Sequence, residues 1–248
     1  MAVLGIDIGG SGIKGAPVDV VTGEFVADRF RIATPQPGTP EQVIEVIRRI
    51  VDHFNWQGKI GAGFPGVLKH GVVMTAANLS STWIGEDLAS LIHDATECPA
   101  CVYNDADVAG LAEMRFGVGT SFSERYVLFL TIGTGIGSAF FAKGQLWPNA
   151  ELGHLKIRGK DAENRAGDGV RKENNLSWKK WGKKLTEVLQ VYDALFTPDV
   201  MIIGGGVSKK FEKFSQYLNG INAEVVPASL RNQAGIVGAA MTAEEHFN

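Results

Sequence analysis

A short apolar stretch that breaks into glycines constrains the fold of this chain more than any other feature. Residues 3–14 read VLGIDIGGSGIK, with a single acid, Asp7, inside the apolar run. The run predicts a buried strand, and the glycines predict a turn whose backbone N–H groups can approach an anion closely. Such donors beside Lys14 suit a phosphate group. The residues of this first turn are Gly9, Gly10, Ser11 and Gly12.

Two later stretches repeat the pattern. Residues 126–138 read YVLFLTIGTGIGS and residues 200–206 read VMIIGGG. The first two turns begin 124 residues apart in a chain of 248 residues, which predicts two related lobes that face a shared phosphate. The later turns add four candidate phosphate ligands, Thr134, Gly135, Gly205 and Gly206.

Strand and helix patterns alternate along the whole chain, which predicts an α/β fold. We expect a smaller N-terminal α/β lobe over residues 1–106 and a larger C-terminal α/β lobe over residues 107–248. The last predicted helix, at about residues 236–248, is expected to pack back on the N-terminal lobe.

Two common nucleotide motifs are weighed against this interpretation. Residues 10–15 formally match GxGxxG, but that fingerprint needs a helix directly at the glycines. Pro17 and the pair Thr22-Gly23 favour a second strand and a turn instead. A nicotinamide-dependent oxidoreductase is therefore the least supported alternative. The Walker A pattern GxxxxGK[ST] does not occur, which argues against a P-loop NTPase.

Composition narrows the class of protein further. Apolar residues make up 45% and charged residues 21% of the chain, as in ordinary globular proteins. The sequence has neither a run of about 20 apolar residues nor a signal-peptide pattern, so we expect a cytoplasmic protein without a membrane partner. Cys98 and Cys101 offer two ligands where zinc needs four, so their predicted role is structural or incidental.

Charge is unevenly distributed. The segment Lys156–Lys184, called the basic segment below, holds ten Lys and Arg against four Asp and Glu, although the chain carries a net charge of −3. Such a stretch is either a solvated face or a site for an extended anion, and the sequence leaves both open.

Asp105 is the candidate catalytic base. Asn104 and Asp105 follow a predicted strand and open a predicted helix, at the sheet edge where ligands bind in α/β folds. Phosphoryl transfer needs a phosphate cradle and a base for the acceptor hydroxyl, and a carboxylate can take that proton. The alternative is an acid favoured by the helix dipole, which fits Asp107 better. A polar set suited to sugar hydroxyls consists of Asn78, Asn104, Glu151 and His154.

The motifs together resemble one family. The segments are DIGGSGIK, GFPG, AANLSSTWIG, NDAD, TIGTGIGS, ELGH, IIGGGVSK and LRNQAGIVGAA. Together and in this order they are similar to the sugar kinases of the ROK family (repressor, open reading frame, kinase). The resemblance implies the two-lobed, duplicated ribonuclease H-like fold of the actin-like and hexokinase superfamily.

The resemblance also implies roles for single residues. It assigns the base to Asp105 and sugar contacts to Asn78, Asn104, Glu151 and His154. It assigns phosphate binding to the first two glycine turns, and the third turn would face the nucleotide in members that use ATP. Mg²⁺ is expected on the donor phosphates, with Asp7 reaching it through water, and no metal ion is expected on protein ligands alone.

One departure from the family pattern is informative. Typical members carry a cysteine-rich zinc motif after the Gly-His pair, but this chain has no cysteine beyond Cys101, so we expect no structural zinc. The segments ELGHLKI, DAENRA, LSW and VPASLRNQAGIVGAA resemble the polyphosphate-using glucokinase branch. The basic segment is then a hypothetical path for a polyanionic donor, guided by Lys14, Arg158, Arg165, Arg171 and Lys172.

The expected activity is therefore transfer of a terminal phosphoryl group from polyphosphate to the 6-hydroxyl of glucose. Two alternatives stay open: a family member that uses ATP, or that also accepts mannose, and a non-catalytic protein that binds sugar or polyphosphate. We expect a homodimer, from the family's habit, and no nucleic-acid partner.

Overall fold

The computed structural model describes residues 2–76 and 79–248. The chain divides into two compact units. The first runs to Ala112 and takes up Gln233–Asn248 at the end of the chain, and the second is Glu113–Asn232. The sequence placed the boundary after residue 106, and the observed division falls six residues later, inside a helix.

The first unit is built on a six-stranded mixed sheet. The strands are β1 (Ala2–Gly9), β2 (Gly12–Asp19), β3 (Glu24–Phe25), β4 (Phe30–Ile32), β5 (Ile60–Phe64) and β8 (Ala100–Asn104), with β6 (Leu68–Lys69) and β7 (Val72–Val73) forming a separate hairpin. The strand order of the sheet is β3-β2-β1-β5-β8, and β4 also pairs with β2. The strand β1 is antiparallel to β2 and parallel to β5, which in turn is parallel to β8.

Local chemistry fixes where the helices of this unit begin. Thr39 caps α1 (Pro40–Phe54) in a capping box with Gln42, and Pro40 occupies the first turn, as the sequence predicts. Asp87 caps α2 (Leu88–Thr96). The helix α3 (Asp105–Phe116) follows β8 directly and carries the chain into the second unit.

The second unit contains a five-stranded mixed sheet with the strand order β11-β10-β9-β14-β15. Its strands are β9 (Tyr126–Ile132), β10 (Ile136–Ala142), β11 (Gln145–Trp147), β14 (Val200–Gly204) and β15 (Glu224–Pro227), and β12 (Lys156–Ile157) pairs only with β13 (Lys160–Asp161). The helices of this unit are α4 (Ala162–Ala166), α5 (Asp168–Glu173) and α6 (Trp178–Phe196). Ser177 caps α6, as predicted. The predicted helix from Ser208 is a 3₁₀ helix over Gly206–Lys213.

The two sheets share one topology. In each, an antiparallel meander of three strands is extended by two parallel strands, in the same order. The first two strands of each meander are joined by a glycine turn, at residues 10–11 and 133–135. This repetition is the structural counterpart of the duplicated strand-and-turn pattern in the sequence.

A buried acid ties the two ends of the second unit together. The Glu113 side chain is fully buried, and its carboxylate accepts hydrogen bonds from the backbone N–H groups of Val118, Ser229 and Leu230 at 3.3, 3.1 and 2.6 Å. These donors satisfy a charge that would otherwise be costly to bury. The chain enters and leaves this unit beside that carboxylate.

The two cysteines lie in the first unit as free, buried thiols. Burial raises the pKa of the Cys101 thiol to about 12, and burial is also the main cause that raises the pKa of Cys98. Because thiolate is the reactive form of cysteine, burial makes both thiols poorly reactive.

Among the described residues, the structure contains no helix long and apolar enough to cross a membrane.

The last helix, α7 (Ala234–His246), packs on the sheet of the first unit through backbone contact at two glycines. A Cβ atom added at Gly5 would lie 2.0 Å from the carbonyl oxygen of Ile236. One added at Gly61 would lie 1.7 Å from that of Ala239. The helix can therefore approach β1 and β5 only because these positions carry no side chain.

The substitution Gly61→Ala is expected to destabilise the protein by ~3 kcal/mol or more, because the added methyl group overlaps a backbone atom that cannot move alone. Thermal or denaturant unfolding measures the effect. Gly206→Ala is the control, since an added Cβ there meets no described atom within 4 Å. Equal stability of the two variants would contradict this packing.

Candidate functional site

The first glycine turn joins β1 to β2 and carries an ion pair at its base. Asp7 and Lys14 lie directly opposite each other on the paired strands, and the Lys14 ammonium is 2.8 Å from the Asp7 carboxylate. Both side chains are about one-quarter exposed or less, at 20% and 26%. The predicted phosphate ligands of the first unit are thus brought together at one strand end.

The structure adds two side chains to this turn. Arg31, on β4, donates to the carbonyl oxygen of Ser11 at 2.7 Å, and a Cβ at Gly12 would lie 2.5 Å from its guanidinium. The buried Thr34 hydroxyl donates to the carbonyl oxygen of Gly9. Sequence reasoning missed both, because they lie outside any motif and reach the turn only through the pairing of β4 with β2.

Asn104 and Asp105 lie where β8 ends and α3 begins. The buried Asn104 side chain accepts hydrogen bonds from the N–H groups of Ala106 and Asp107 and donates to the carbonyl oxygen of Gly66 at 3.0 Å. It therefore acts as the cap that starts α3. This geometry fixes the position of Asp105 and occupies much of the hydrogen-bonding capacity that the sequence analysis assigned to a sugar.

Gly63 places Asp105 near the first turn. Gly63 pairs with Asp7 across β1 and β5, and a Cβ added to it would lie 3.4 Å from the Asp105 Cα atom. Asp7 and Asp105 therefore share the carboxyl edge of this sheet, with one side-chain-free position between them. Asp105 is half-buried.

The two glycine turns of the second unit also lie against each other. Gly205 has a left-handed φ of 73°, and an added Cβ would lie 2.5 Å from the carbonyl oxygen of Ile132. The start of α5 and the glycine before it close on the same turn, since an added Cβ at Gly169 or Gly167 would lie 2.7 Å from the carbonyl oxygen of Thr134. The predicted phosphate ligands of this unit form one backbone-lined cradle.

Glu151 and His154 lie beside that cradle in a loop that buried groups hold in place. The Ser138 hydroxyl donates to the carbonyl oxygen of Ala150 and accepts from the N–H of Leu152. The Tyr192 hydroxyl donates to the Leu152 carbonyl oxygen at 2.7 Å, and burial raises the pKa of this tyrosine. His154 Nε2 is 3.8 Å from a Glu151 carboxylate oxygen.

Two further acids, missed from the sequence, face His154. Its Nδ1 lies 3.8 Å from a carboxylate oxygen of Asp161 and 3.8 Å from one of Glu163. Glu163 also accepts from the N–H of Ile136 at 3.4 Å, directly at the second glycine turn. The segment DAENRA carried this acid, but only the folded hairpin β12–β13 brings it to the turn.

The acids around His154 also have the spacing of metal ligands, since one ligand atom from each of His154, Asp161 and Glu163 lies within 4.8 Å of the others. Lys156 already forms an ion pair with Asp161, and its hydrogen bond is the main cause that lowers the pKa of this carboxyl. A lysine thus supplies positive charge where a cation could otherwise lie.

The predicted donor cations of the basic segment are paired with carboxylates. Arg165 and Arg158 both face Glu187, the latter at 3.7 Å. Arg171 and Lys172 lie 2.6 and 2.8 Å from Asp168. The Arg171 guanidinium also stacks over the Trp178 ring, 4.1 Å from its centroid.

The predicted site residues therefore form one group in each unit. In the first unit the structure assembles Asp7, Gly9, Gly10, Ser11, Gly12, Lys14, Asn104 and Asp105 at one sheet edge. In the second it assembles Thr134, Gly135, Gly205 and Gly206, with Glu151 and His154 beside them. Asn78 lies outside the described residues.

Comparison with known proteins identifies the family. The sequence profile described as ROK family matches residues 3–172, more than half of the chain. The chain belongs to the ROK family, as the motifs predicted.

Individual relatives are similar to this chain over nearly its full length. The polyphosphate glucokinase of Mycobacterium tuberculosis (strain CDC 1551 / Oshkosh) is 48% identical over 238 residues, which cover 96% of this chain and 89% of that protein. The crystal structure of the inorganic polyphosphate/ATP-glucomannokinase from Arthrobacter sp. strain KM has a TM-score of 0.95 at 43% identity and covers 99% of both chains.

A more distant structure shares the fold. The ROK family glucokinase from Streptomyces griseus, solved with glucose and AMPPNP, has a TM-score of 0.83 at 24% identity and covers 99% of this chain and 100% of that one. The fold is the α/β, actin-like fold of ROK sugar kinases, which confirms the predicted fold class.

The substitution Asp168→Asn tests the ion-pair cluster that holds Arg171 and Lys172. Burial alone would raise the pKa of Asp168, but these two cations outweigh it and lower the pKa below the ordinary value of 3.8. The carboxylate therefore stabilises the fold above about pH 4, and this contribution disappears as pH falls through the lowered pKa. We expect the free energy of unfolding of the variant to be about 2 kcal/mol lower than that of the wild type at neutral pH.

Denaturant unfolding of the variant and the wild type at a series of pH values measures that difference. The gap should be constant above pH ~5 and should close in more acidic solution. Glu173→Gln, an exposed acid on the same helix, is the matched control with no such pH dependence. A gap that persists unchanged in acid would contradict the assignment.

Proposed function

We propose that this protein is a glucokinase that transfers the terminal phosphoryl group of inorganic polyphosphate to the 6-hydroxyl of glucose. The observation that carries the proposal is the placement of Asp105 at the same sheet edge as the Asp7–Lys14 pair and the first glycine turn. The mycobacterial polyphosphate glucokinase and the Arthrobacter polyphosphate/ATP-glucomannokinase support the substrate and the donor.

Asp105 acts as the general base. As the 6-hydroxyl attacks the phosphoryl group, its proton moves to the Asp105 carboxylate, so that the attacking oxygen becomes more nucleophilic. Asn104 holds the first turn of α3 and with it the position of this carboxylate. Glu151, His154 and Glu163 bind glucose hydroxyls, because carboxylates and imidazole can form hydrogen bonds with hydroxyl groups. Asn78 and Asn104 complete the proposed sugar-binding set.

The glycine turns and nearby cations bind the donor. Backbone N–H groups of glycine turns carry partial positive charge toward phosphate oxygens, and Lys14 adds a full charge beside the first turn. Because phosphoryl transfer depends mainly on positioning and on neutralising phosphate charge, this arrangement suits the reaction. Arg158, Arg165, Arg171 and Lys172 belong to the proposed donor surface, although each also faces a carboxylate.

Mg²⁺ is part of the proposal as an ion carried by the donor. Mg²⁺ in phosphoryl-transfer sites keeps several waters and uses one or two carboxylates together with substrate phosphates. The Asp7 carboxylate fits this pattern: it lies at the first glycine turn, and only one of its oxygens is engaged by Lys14. When bound, the ion neutralises donor charge that would repel the attacking oxygen. Asp7 would orient it through water, while Lys14 holds the carboxylate in place.

ATP is the alternative phosphoryl donor and mannose the alternative acceptor, because the Arthrobacter relative is named a polyphosphate/ATP-glucomannokinase. The free state of both cysteines supports a cytoplasmic location. A homodimer is proposed from the family's habit.

The substitution Asp105→Asn should lower kcat for glucose phosphorylation by ~10²–10⁴-fold, because it removes the proton acceptor and keeps the shape. Thermal unfolding should change little. Asp94→Asn, an exposed acid on α2, is the charge-matched control and should keep full activity. A variant at position 105 with near-normal kcat would overturn the catalytic assignment.

The donor is tested by measuring glucose 6-phosphate formation with Mg²⁺ and either long-chain polyphosphate or ATP at matched phosphoryl concentration. We expect a higher kcat/KM with polyphosphate, and a KM for that donor that rises steeply with salt as charge contacts are screened. Product formation with ATP alone would leave the fold and Asp105 in place and reject polyphosphate as the donor.

A further inference from the structure

A set of exposed lysines in the second unit differs from the arginines of the basic segment in its distance from carboxylates. The arginines of the basic segment each face Glu187 or Asp168. By contrast, the ammonium groups of Lys179, Lys180 and Lys183 lie more than 4.0 Å from every carboxylate in the described part of the chain. All three are exposed.

These lysines share one face of α6. With 100° between successive helix residues, the exposed face near the start of α6 carries four lysines within two turns. The opposite face is buried and contains Trp181, Leu185, Val188, Leu189 and Tyr192. These lysines are the exposed Lys179, Lys180 and Lys183 and the half-buried Lys184.

The arrangement is electrostatically unfavourable for the folded chain alone. Lys179 and Lys183 form a like-charge pair at i,i+4, and so do Lys180 and Lys184, which destabilises a helix. They also lie at the helix N-terminus, where the dipole disfavours cations, and the first turn has no acid. A breach of a local stability rule without an internal partner is typical of a functional surface. A bound polyanion would relieve both conflicts.

The buried face of α6, opposite the lysines, lies close to the phosphate cradle of the same unit. The indole N–H of Trp181 donates to the carbonyl oxygen of Ala166 at 2.9 Å. Ala166 is followed by Gly167, Asp168 and Gly169, and the two glycines close on the Thr134 turn. The lysines therefore lie on the outer side of a helix whose buried side packs against the segment that closes on the second glycine turn.

A second lysine group borders the first. The segment that follows the third glycine turn packs on α6: the Phe214 ring stacks 6.0 Å from Trp178, and the Thr186 hydroxyl donates to the carbonyl oxygen of Tyr217. Just before Phe214, the exposed lysines Lys209, Lys210 and Lys213 lie on the 3₁₀ helix. Among the described residues, no carboxylate lies within ion-pair distance of them.

We propose that Lys179, Lys180 and Lys183, together with Lys209, Lys210 and Lys213, bind the distal phosphates of a long polyphosphate chain while its terminal phosphates occupy the glycine turns. The inference rests on the proposed function and names the subsite that distinguishes a polymeric donor from a short one. Lysine suits this role, since its flexible point charge can follow a uniform polyanion without a fixed geometry.

The test is the variant K179Q/K180Q/K183Q, assayed with long-chain polyphosphate, tripolyphosphate and ATP. We expect the KM for the long chain to rise about tenfold or more, because several phosphate contacts are lost, with kcat at saturating donor within about twofold of wild type. The slope of log KM against log salt should become shallower. The KM values for tripolyphosphate and ATP should move far less.

Two controls separate binding from folding. The variant R29Q/R49Q/K69Q removes the same charge from exposed positions of the first unit and should leave every KM in place. Without donor, the α6 variant should unfold at the same temperature as wild type or higher, because like-charge repulsion is removed.

The variant K209Q/K210Q/K213Q should show the same dependence on chain length, because these lysines form the second group of the proposed subsite.

An unchanged KM for long-chain polyphosphate in both lysine variants would overturn the subsite and leave the proposed function intact. A wild-type protein that forms glucose 6-phosphate with ATP but with neither polyphosphate would instead reject the donor, and the subsite with it. Calorimetric titration of long-chain polyphosphate without glucose gives a readout independent of catalysis, in which weaker binding by the α6 variant supports the subsite.

Discussion

Close approach between backbones, permitted by the absence of side chains, is the constraint on which the rest of this structure depends. At Gly5 and Gly61 it allows α7 to lie on β1 and β5, so the end of the chain completes the core of the first unit. In the second unit, the absence of side chains likewise allows the turn at Gly205 to contact Ile132. It also allows Gly167 and Gly169 to lie against Thr134. The proposed phosphate cradles thus follow from the way each sheet is packed, which explains why the chain has a high glycine content.

Electrostatic pairing divides the cations of the chain into two populations. Lys14, Arg165 and Arg171 each lie against a carboxylate at low exposure, so their orientation is fixed before the proposed donor binds. Such preorganisation lowers the cost of binding, since little side-chain freedom remains to be lost. The lysines of α6 retain that freedom, which suits contact with a polymer whose exact position is unimportant.

The sequence predicted the parts of the fold that depend on local signals. The capping box at Thr39, the cap at Ser177 and the turn at Gly10 and Ser11 each follow from side chains within three residues. The sequence also predicted the second strand after the first turn, which argued against a dinucleotide-binding fold. Charge counting alone could not show that Glu187 and Asp168 neutralise the arginines, because those contacts span up to 29 residues.

The candidate site shows the same limit. Asp105 was recognisable because it stands at a strand-to-helix junction, and the comparisons agree with the family that its motif indicated. Arg31 and Glu163 were not recognisable, since they reach the glycine turns through the pairing of β4 and the hairpin β12–β13. Asn104 shows a further difficulty: a side chain predicted to meet a ligand also has a structural task as a helix cap.

The buried cysteines have a practical consequence. Burial raises the pKa of Cys101 to about 12, which disfavours the thiolate, and Cys98 is almost fully buried beside Trp56. Both native thiols of the folded protein should therefore react slowly with thiol reagents. A cysteine introduced at an exposed position could carry a spectroscopic label without removal of the native pair, so the approach of a polymer or a sugar could be followed by fluorescence in an otherwise unaltered chain.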